Sequence, residues 1–329
     1  FFSSHRSLKT KMVLENASSV TEFILAGLTD QPELQLPLFF LFLGTYVITI
    51  MGNLGLIILI RMNSQLHTPM YYFLFNLSFI DLCYSSVFTP KMLMNFVLKQ
   101  NVISYPGCMA QLYFYSFFVI SECYVLTIMA YDRYVAICNP LLYNVTMSSQ
   151  VCSWLLGGAF AMGFAGAMAH TGCMLRLVFC DAHIINHYMC DILPLLQLSC
   201  TSTYVNELVV FIVVGTNIIV PSVTIFTSYA LILASILSMS STEGRSKAFS
   251  TCSSHIIVIT LFFGSASFMY LQPSSSGSVD QGKIASIFYT NVGPMLNPLI
   301  YSLRNKDVQT AMRKTLRRRM FSRTGAMFS

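Results

Sequence analysis

Charge is what this chain most lacks: of 329 residues only 10% are Asp, Glu, Lys or Arg, while 55% are hydrophobic. A soluble domain carries roughly a quarter charged residues, so the solvent for much of this chain is lipid. The net charge of +6 is small and gathered towards one end, which speaks against nucleic-acid binding. No tandem repeat suggests a transporter built from inverted halves. Residues 1–11, FFSSHRSLKTK, hold neither an initiator Met nor an apolar core of signal-peptide length. Met12 reads as the natural beginning, with 1–11 an upstream extension. No nucleophile–base pair or metal triad lies within the apolar runs, so an enzyme is the least favoured class.

What the chain has instead is long runs nearly free of charge. About 20 apolar residues suffice to cross a bilayer, and such runs cover 34–60, 69–96, 105–131, 151–172, 208–238, 248–271 and 284–303. Asp81 and Lys91 interrupt the second and Glu122 the third. The expectation is an all-α membrane protein: an outer tail at 1–33, a seven-helix bundle at 34–303, and a cytoplasmic amphipathic helix and tail at 304–329. Most of the 19 Lys and Arg, including Arg133, Arg245 and Arg317-Arg318-Arg319, fall on the side of the C-terminus. By the positive-inside rule that side is cytoplasmic and the N-terminus is outside. Asn16-Ala17-Ser18 in the outer tail matches a glycan acceptor. The same pattern at Asn76 falls in a span and at Asn144 on the inner side, and both are read as chance.

Of ten cysteines, Cys108, Cys180, Cys190 and Cys200 lie at the outer face, where an oxidising environment favours disulfides. The stretch CDAHIINHYMC, 180–190, also spaces two Cys around His183 and His187 like a zinc site. Disulfides are favoured, because the spacing is short and loop-bound. Soft-metal assistance to a sulfur-containing ligand is the weaker reading.

Ionisable groups inside a membrane are expensive and usually functional. Asp81 in LSFID and Glu122 in VISECYV are the two deep acids. Either they share a hydrated cavity or a cation such as sodium, or they are protonated and hydrogen-bonded to Asn53, Ser121 or Asn297. In the third span Tyr115, Val119, Glu122, Leu126, Met129 and Arg133 recur every three or four residues and so share one face. That stripe is about 27 Å long at 1.5 Å per residue, reaching from the outer mouth to the inner border. At its end Asp132-Arg133-Tyr134 places an acid and a base where the helix leaves the membrane. Pairing that is made in one helix arrangement and broken in another would form a two-state switch. An interfacial anchor is the plainer alternative.

MAYDRYVAICNPLLY at 129–143, GNLGLIILI at 52–60, LHTPMYYFLFNLSFIDLCYSS at 66–86 and PMLNPLIYSLRNKDV at 294–308 together resemble the olfactory receptor family. With Ser228-Tyr229 and KAFSTCSSHIIVITLFFG at 247–264, the likeness covers nearly all of residues 12–320. It implies a rhodopsin-like, seven-helix, G-protein-coupled receptor of the tetrapod-type branch, working in the plasma membrane of olfactory cilia. It also implies Cys108–Cys190 and Cys180–Cys200 bridges. Asp81 and Glu122 match the family's deep acids, and Asn53 its first-helix anchor. Asn297, Pro298 and Tyr301 match the seventh-helix switch, and Tyr229 the tyrosine that supports a freed Arg133. Two positions depart from the family pattern. Phe262-Phe263-Gly264 stands where the family has FYG, so Phe263 brings no hydroxyl, and Tyr72 replaces a Phe.

By the same likeness, Tyr115, Ser116, Val119, Ile120, Val213, Asn217, Phe263, Ala266, Ser267, Tyr270, Ile287 and Thr290 line the ligand pocket. That set holds no charge. Residues 109–121 lack the carboxylate an amine receptor needs, and 284–303 lack the Lys of a retinal protein. A neutral, largely apolar volatile with one hydroxyl, carbonyl or similar group fits best. After Tyr301, Val308, Met312, Leu316 and Met320 recur every four residues among Arg and Lys, as in a helix lying on an anionic leaflet. The expected partners are an odorant, a stimulatory G protein docked beside Arg133, Tyr229 and the Arg245–Phe249 region, and the bilayer. The expected output is cyclic AMP. The competing class is a small-molecule transporter or channel, which would need a continuous polar path.

Overall fold

The computed structural model describes residues 20–29, 31–98, 101–179, 183–238, 241–270, 283–284 and 286–325. Its helices are α1 (Pro32–Met62), α2 (Pro69–Val97), α3 (Tyr105–Cys138), α4 (Ser149–Met174), α5 (Tyr204–Ser238) and α6 (Thr242–Tyr270). After these come α7 (Gly293–Arg304), entered through a π-turn at Phe288–Val292, and α8 (Lys306–Gly325). By length and composition α1, α3, α4 and α5 are apolar enough to cross a membrane. The acid-bearing α2 and the polar first half of α6 read more weakly, and the apolar part of α6 is His255–Ser267. Helices α1 to α7 form the expected bundle. They outrun the apolar stretches, as where α5 starts at Tyr204.

Local chemistry sets several starts. Ser104 caps α3 by accepting from Gly107 N at 3.2 Å, and Ser148 caps α4 through Val151 N. Pro37, Pro90, Pro221 and Pro298 lie inside helices, which bundles in lipid tolerate because neighbours satisfy the freed carbonyls.

The bundle is apolar on the outside as well as within. Phe211 and Phe226 of α5 and Trp154 of α4 are each exposed by more than 70%. In water such faces would aggregate; in a bilayer they are solvated. Helix α3 is the axis, with Leu112, Val125, Leu126 and Ala130 fully buried. The predicted stripe from Tyr115 to Met129 is buried or half-buried. Close approach of α3 and α4 rests on small residues. A Cβ on Gly163 would lie 2.2 Å from Ser121 Oγ, and one on Gly166 2.4 Å from Ile120 Cδ1.

The outer end carries a feature the sequence reading did not anticipate. Strand β1 (Glu22–Leu25) pairs antiparallel with β2 (Asn101–Ser104) and parallel with β3 (Ile184–Ile185). Glu22 faces Ser104 across one seam and Ile24 faces Ile184 across the other. Gly27 leaves this sheet with φ +81°, and a Cβ there would fall 1.7 Å from Asn95 Nδ2, so both backbone sign and space require glycine. Phe23, Leu25, Phe179, Ile185, Ile192 and Leu195 form the core of this cap with the top of α3.

At the other end one face of α8 packs on the bundle. Val308 and Ala311 are buried, while Met312 is 40% exposed. The inward row advances from 308 to 311 to 315, where Thr315 Oγ1 accepts from Asn63 Nδ2 at 3.2 Å. Side chains of Leu316 and Met320 lie outside the described residues.

Candidate ligand cavity and paired Asp-Arg site

Residues of α3, α4, α5 and α6, with Ile192 of the short helix Ile192–Gln197, line a cavity of about 60 Å³. Tyr115, Ser116, Val119, Ile120, Val213, Asn217 and Ala266, all expected, line it. So do Cys123, His170, Ile192, Val214, Ile218 and Phe262, which the sequence reading missed. His170 lies one turn beyond Gly166 and Ala167, on the α4 face drawn against α3. Its helical register with those small residues was the available signal.

Four expected lining residues are placed elsewhere. Both Phe262 and Phe263 belong to the inner core cluster, but Phe262 also lines the cavity and Phe263 does not, because neighbours on a helix point about 100° apart. Ser267 is half-buried and is not in the lining. Ile287 packs against the cluster of Tyr84, Phe88 and Tyr115. Thr290 is buried and shares a 3.0 Å hydrogen bond with the Tyr188 hydroxyl. The side chain of Tyr270 lies outside the described residues.

Covalent and polar stitches tie the loop that follows α4 to the helices. Cys108 and Cys190 form a disulfide. Beside it Cys190 N donates to Gln111 Oε1 at 2.8 Å, while Gln111 Nε2 donates to Val87 O. Cys200 is disulfide-bonded too, and Cys180 lies outside the described residues. The Tyr188 hydroxyl meets Ser286 Oγ at 2.8 Å, joining the loop to the start of the seventh span. His187 stacks on Tyr188 and accepts from Met189 N through Nδ1. Burial, with Lys283 nearby, lowers its pKa to about 3, so it is neutral. No cluster of three metal-ligating groups occurs among the described residues. The zinc-like spacing is incomplete, since the Cys190 thiolate is taken by the bridge. Asn16 lies outside the described residues.

Deeper, Asn297 Nδ2 donates to Asp81 Oδ2 at 3.0 Å. Asp81 Oδ1 and Glu122 Oε2 are buried without a partner. Of the other expected partners, Asn53 donates to the carbonyls of Thr49 and Pro294, and Ser121 to that of Phe117. A Cβ on Gly52 would meet Pro298 Cγ at 2.9 Å, so α1 and α7 touch beside the proline.

At the inner border Arg133 is paired with Asp132, its Nε donating to Oδ2 at 3.0 Å. Asp132 is fully buried and also accepts from the Tyr143 hydroxyl at 2.8 Å. Tyr229 is hydrogen-bonded to His255 of α6. Tyr134 is half-buried against the inner core, and Tyr301 is buried with its hydroxyl unpartnered. The arginine is thus held by its own helix and the following loop.

A seven-helix bundle with a disulfide from the third helix to the second outer loop and a paired Asp-Arg at its inner end defines a rhodopsin-like receptor. The fold matches the crystal structure of squid rhodopsin with a TM-score of 0.69 at 19% identity, covering 87% of this chain and 86% of that one. Residues 42–319 match the olfactory receptor family model. The chain is 75% identical to human olfactory receptor 8B3 over 305 residues, 93% of this chain and 97% of that one. It is 71% identical to human olfactory receptor 8B8 over 311 residues, 94% of this chain and all of that one. The chain belongs to the olfactory receptor family. It is a membrane receptor, not an enzyme.

Proposed function

We propose that this receptor binds a small, neutral, largely apolar volatile in the outer cavity and activates a stimulatory G protein, raising cyclic AMP. The observation that carries the reading is the pairing of a largely apolar cavity at one end with a breakable ion pair at the other, both on α3. A ligand that binds better to an inward-open arrangement shifts the population towards it. Arg133 then leaves Asp132 and the inner ends of α5 and α6 separate. Tyr229, now bonded to His255, becomes available to support the freed guanidinium. The α subunit enters between Arg133, Tyr229 and the Arg245–Phe249 region, where the Phe249 side chain is already exposed.

The reading places the N-terminus outside and the C-terminus in the cytoplasm, in the ciliary plasma membrane of an olfactory neuron. It includes a glycan on Asn16, a Cys180–Cys200 bridge and a sodium ion between Asp81 and Glu122. The sodium site is supported by the two buried carboxylate oxygens that lack partners. Screening neutral volatiles on purified receptor with a stimulatory heterotrimer, read by nucleotide exchange, tests the proposal. Agonist-dependent exchange is expected; an agonist that saturates the receptor without exchange on any α subunit would sink it.

A further inference from the structure

Asn217 stands on α5 in the wall of the outer cavity and is only 6% exposed. The two ends of its amide differ. Nδ2 donates to the carbonyl of Val213 at 2.7 Å, one turn back on the same helix. A carbonyl only accepts, so the end facing it must be nitrogen and the orientation of the amide is fixed. The other end, Oδ1, is buried with no hydrogen-bond partner. An amide oxygen has no proton to offer, and only a donor can satisfy it. Ser116 and His170, also buried in this wall, carry groups able to give or to accept. They do not dictate the polarity of a guest. Asn217 does.

We infer that the ligand is a hydroxyl compound, an alcohol or phenol with an apolar body, whose O–H donates to Asn217 Oδ1. Asn217 thereby selects it against ethers and carbonyl compounds of the same skeleton. The inference rests on the reading of this cavity as the ligand site. An acceptor-only guest would set two buried oxygens together without a proton between them. Sites built to bond a hydroxyl reject such analogues more strongly than apolar walls reject a missing methylene.

The test uses full-length purified receptor and matched sets of short-chain and cyclic alcohols, their methyl ethers and the corresponding ketones or aldehydes. Thermal stabilisation reads binding independently of any G protein. Within a set, the alcohol is expected to half-saturate at a concentration about tenfold lower, or less still, than its ether or carbonyl partner. In Asn217→Leu that ratio should fall to about one, the alcohol losing and the ether gaining. A folding defect would weaken both together. Equal half-saturation by alcohols and ethers in the unaltered receptor, or a ratio unchanged in Asn217→Leu, overturns the inference while leaving the cavity as the ligand site. No stabilisation by any member of any set overturns the neutral-ligand reading and this inference with it.

Discussion

At the outer end, the Cys108–Cys190 bridge and three short strands tie the helices covalently and by backbone hydrogen bonds. At the inner end, Asp132 holds Arg133 of its own helix and Tyr143 of the following loop through side chains alone. Backbone ladders and disulfides resist rearrangement, whereas an ion pair at a membrane border can be exchanged for another at small cost. A receptor needs that asymmetry. On the proposed function, the end with the cavity keeps its shape so that a guest of one chemistry is recognised, and the end with the ion pair has two arrangements close in energy.

The contrast can be broken from either side. The largest effect is expected from Cys108→Ser: removing a native disulfide typically costs about 2–5 kcal/mol, and surface display, measured by antibody against an N-terminal tag, should be lost. Normal display with normal signalling would show that the cap does not need its bridge. Next, Arg133→Ala should keep measurable surface display and abolish agonist-dependent cyclic AMP; an undiminished response would remove the arginine from the switch. Gly163→Val drives a side chain into Ser121 and the Phe117 carbonyl, and should lower stability by about 1–3 kcal/mol. Thermal unfolding in detergent reads it, and an unchanged midpoint would mean that α3 and α4 can part freely. Tyr143→Phe removes one hydrogen bond from Asp132, worth about 1 kcal/mol, so basal cyclic AMP should rise a few-fold. Lower basal activity would contradict a lock made by Asp132.

The smallest expected effect concerns pH and separates the two ends again. Asp191, in the cap, is fully buried, and burial pushes its carboxyl up to about 6, partly offset by the Ile192 N–H. A carboxyl raised on folding stabilises the protonated fold. That contribution is complete below the ordinary value of 3.8 and is lost as pH rises through about 6. Thermal stability should therefore fall between about pH 4 and 6, and Asp191→Asn should flatten that slope. An unaltered slope in the variant would assign the pH dependence to other groups.

Much of this was legible in the chain. The spans follow from the near absence of charge over bilayer-length runs, and the α3 stripe follows from helical spacing alone. Asp132 and Arg133 stood out because acids and bases are so scarce around them. The cap sheet was not legible, since EFIL at 22–25 is short and its partners lie far along the chain. Nothing local in NVIS or in Ile184-Ile185 marks them as strands without their neighbours. The cavity was legible on α3 and α5 but less so on α6. There a rotation of one residue exchanges Phe263 for Phe262, and a pattern of apolar residues on all sides gives no phase. His170 was hidden for another reason: a lone histidine in an apolar span becomes informative only once the glycines below it are seen to draw α4 against α3.

The central position of β1 in its sheet sets an order of events during synthesis. This strand leaves the ribosome first, yet β3 follows about 160 residues later, a wait of roughly 10–30 s at 5–20 residues per second. Over that interval one hydrogen-bonding edge of β1 has no native neighbour. The sheet is thus left incomplete over about half of the chain's length, until the loop that carries β3 arrives.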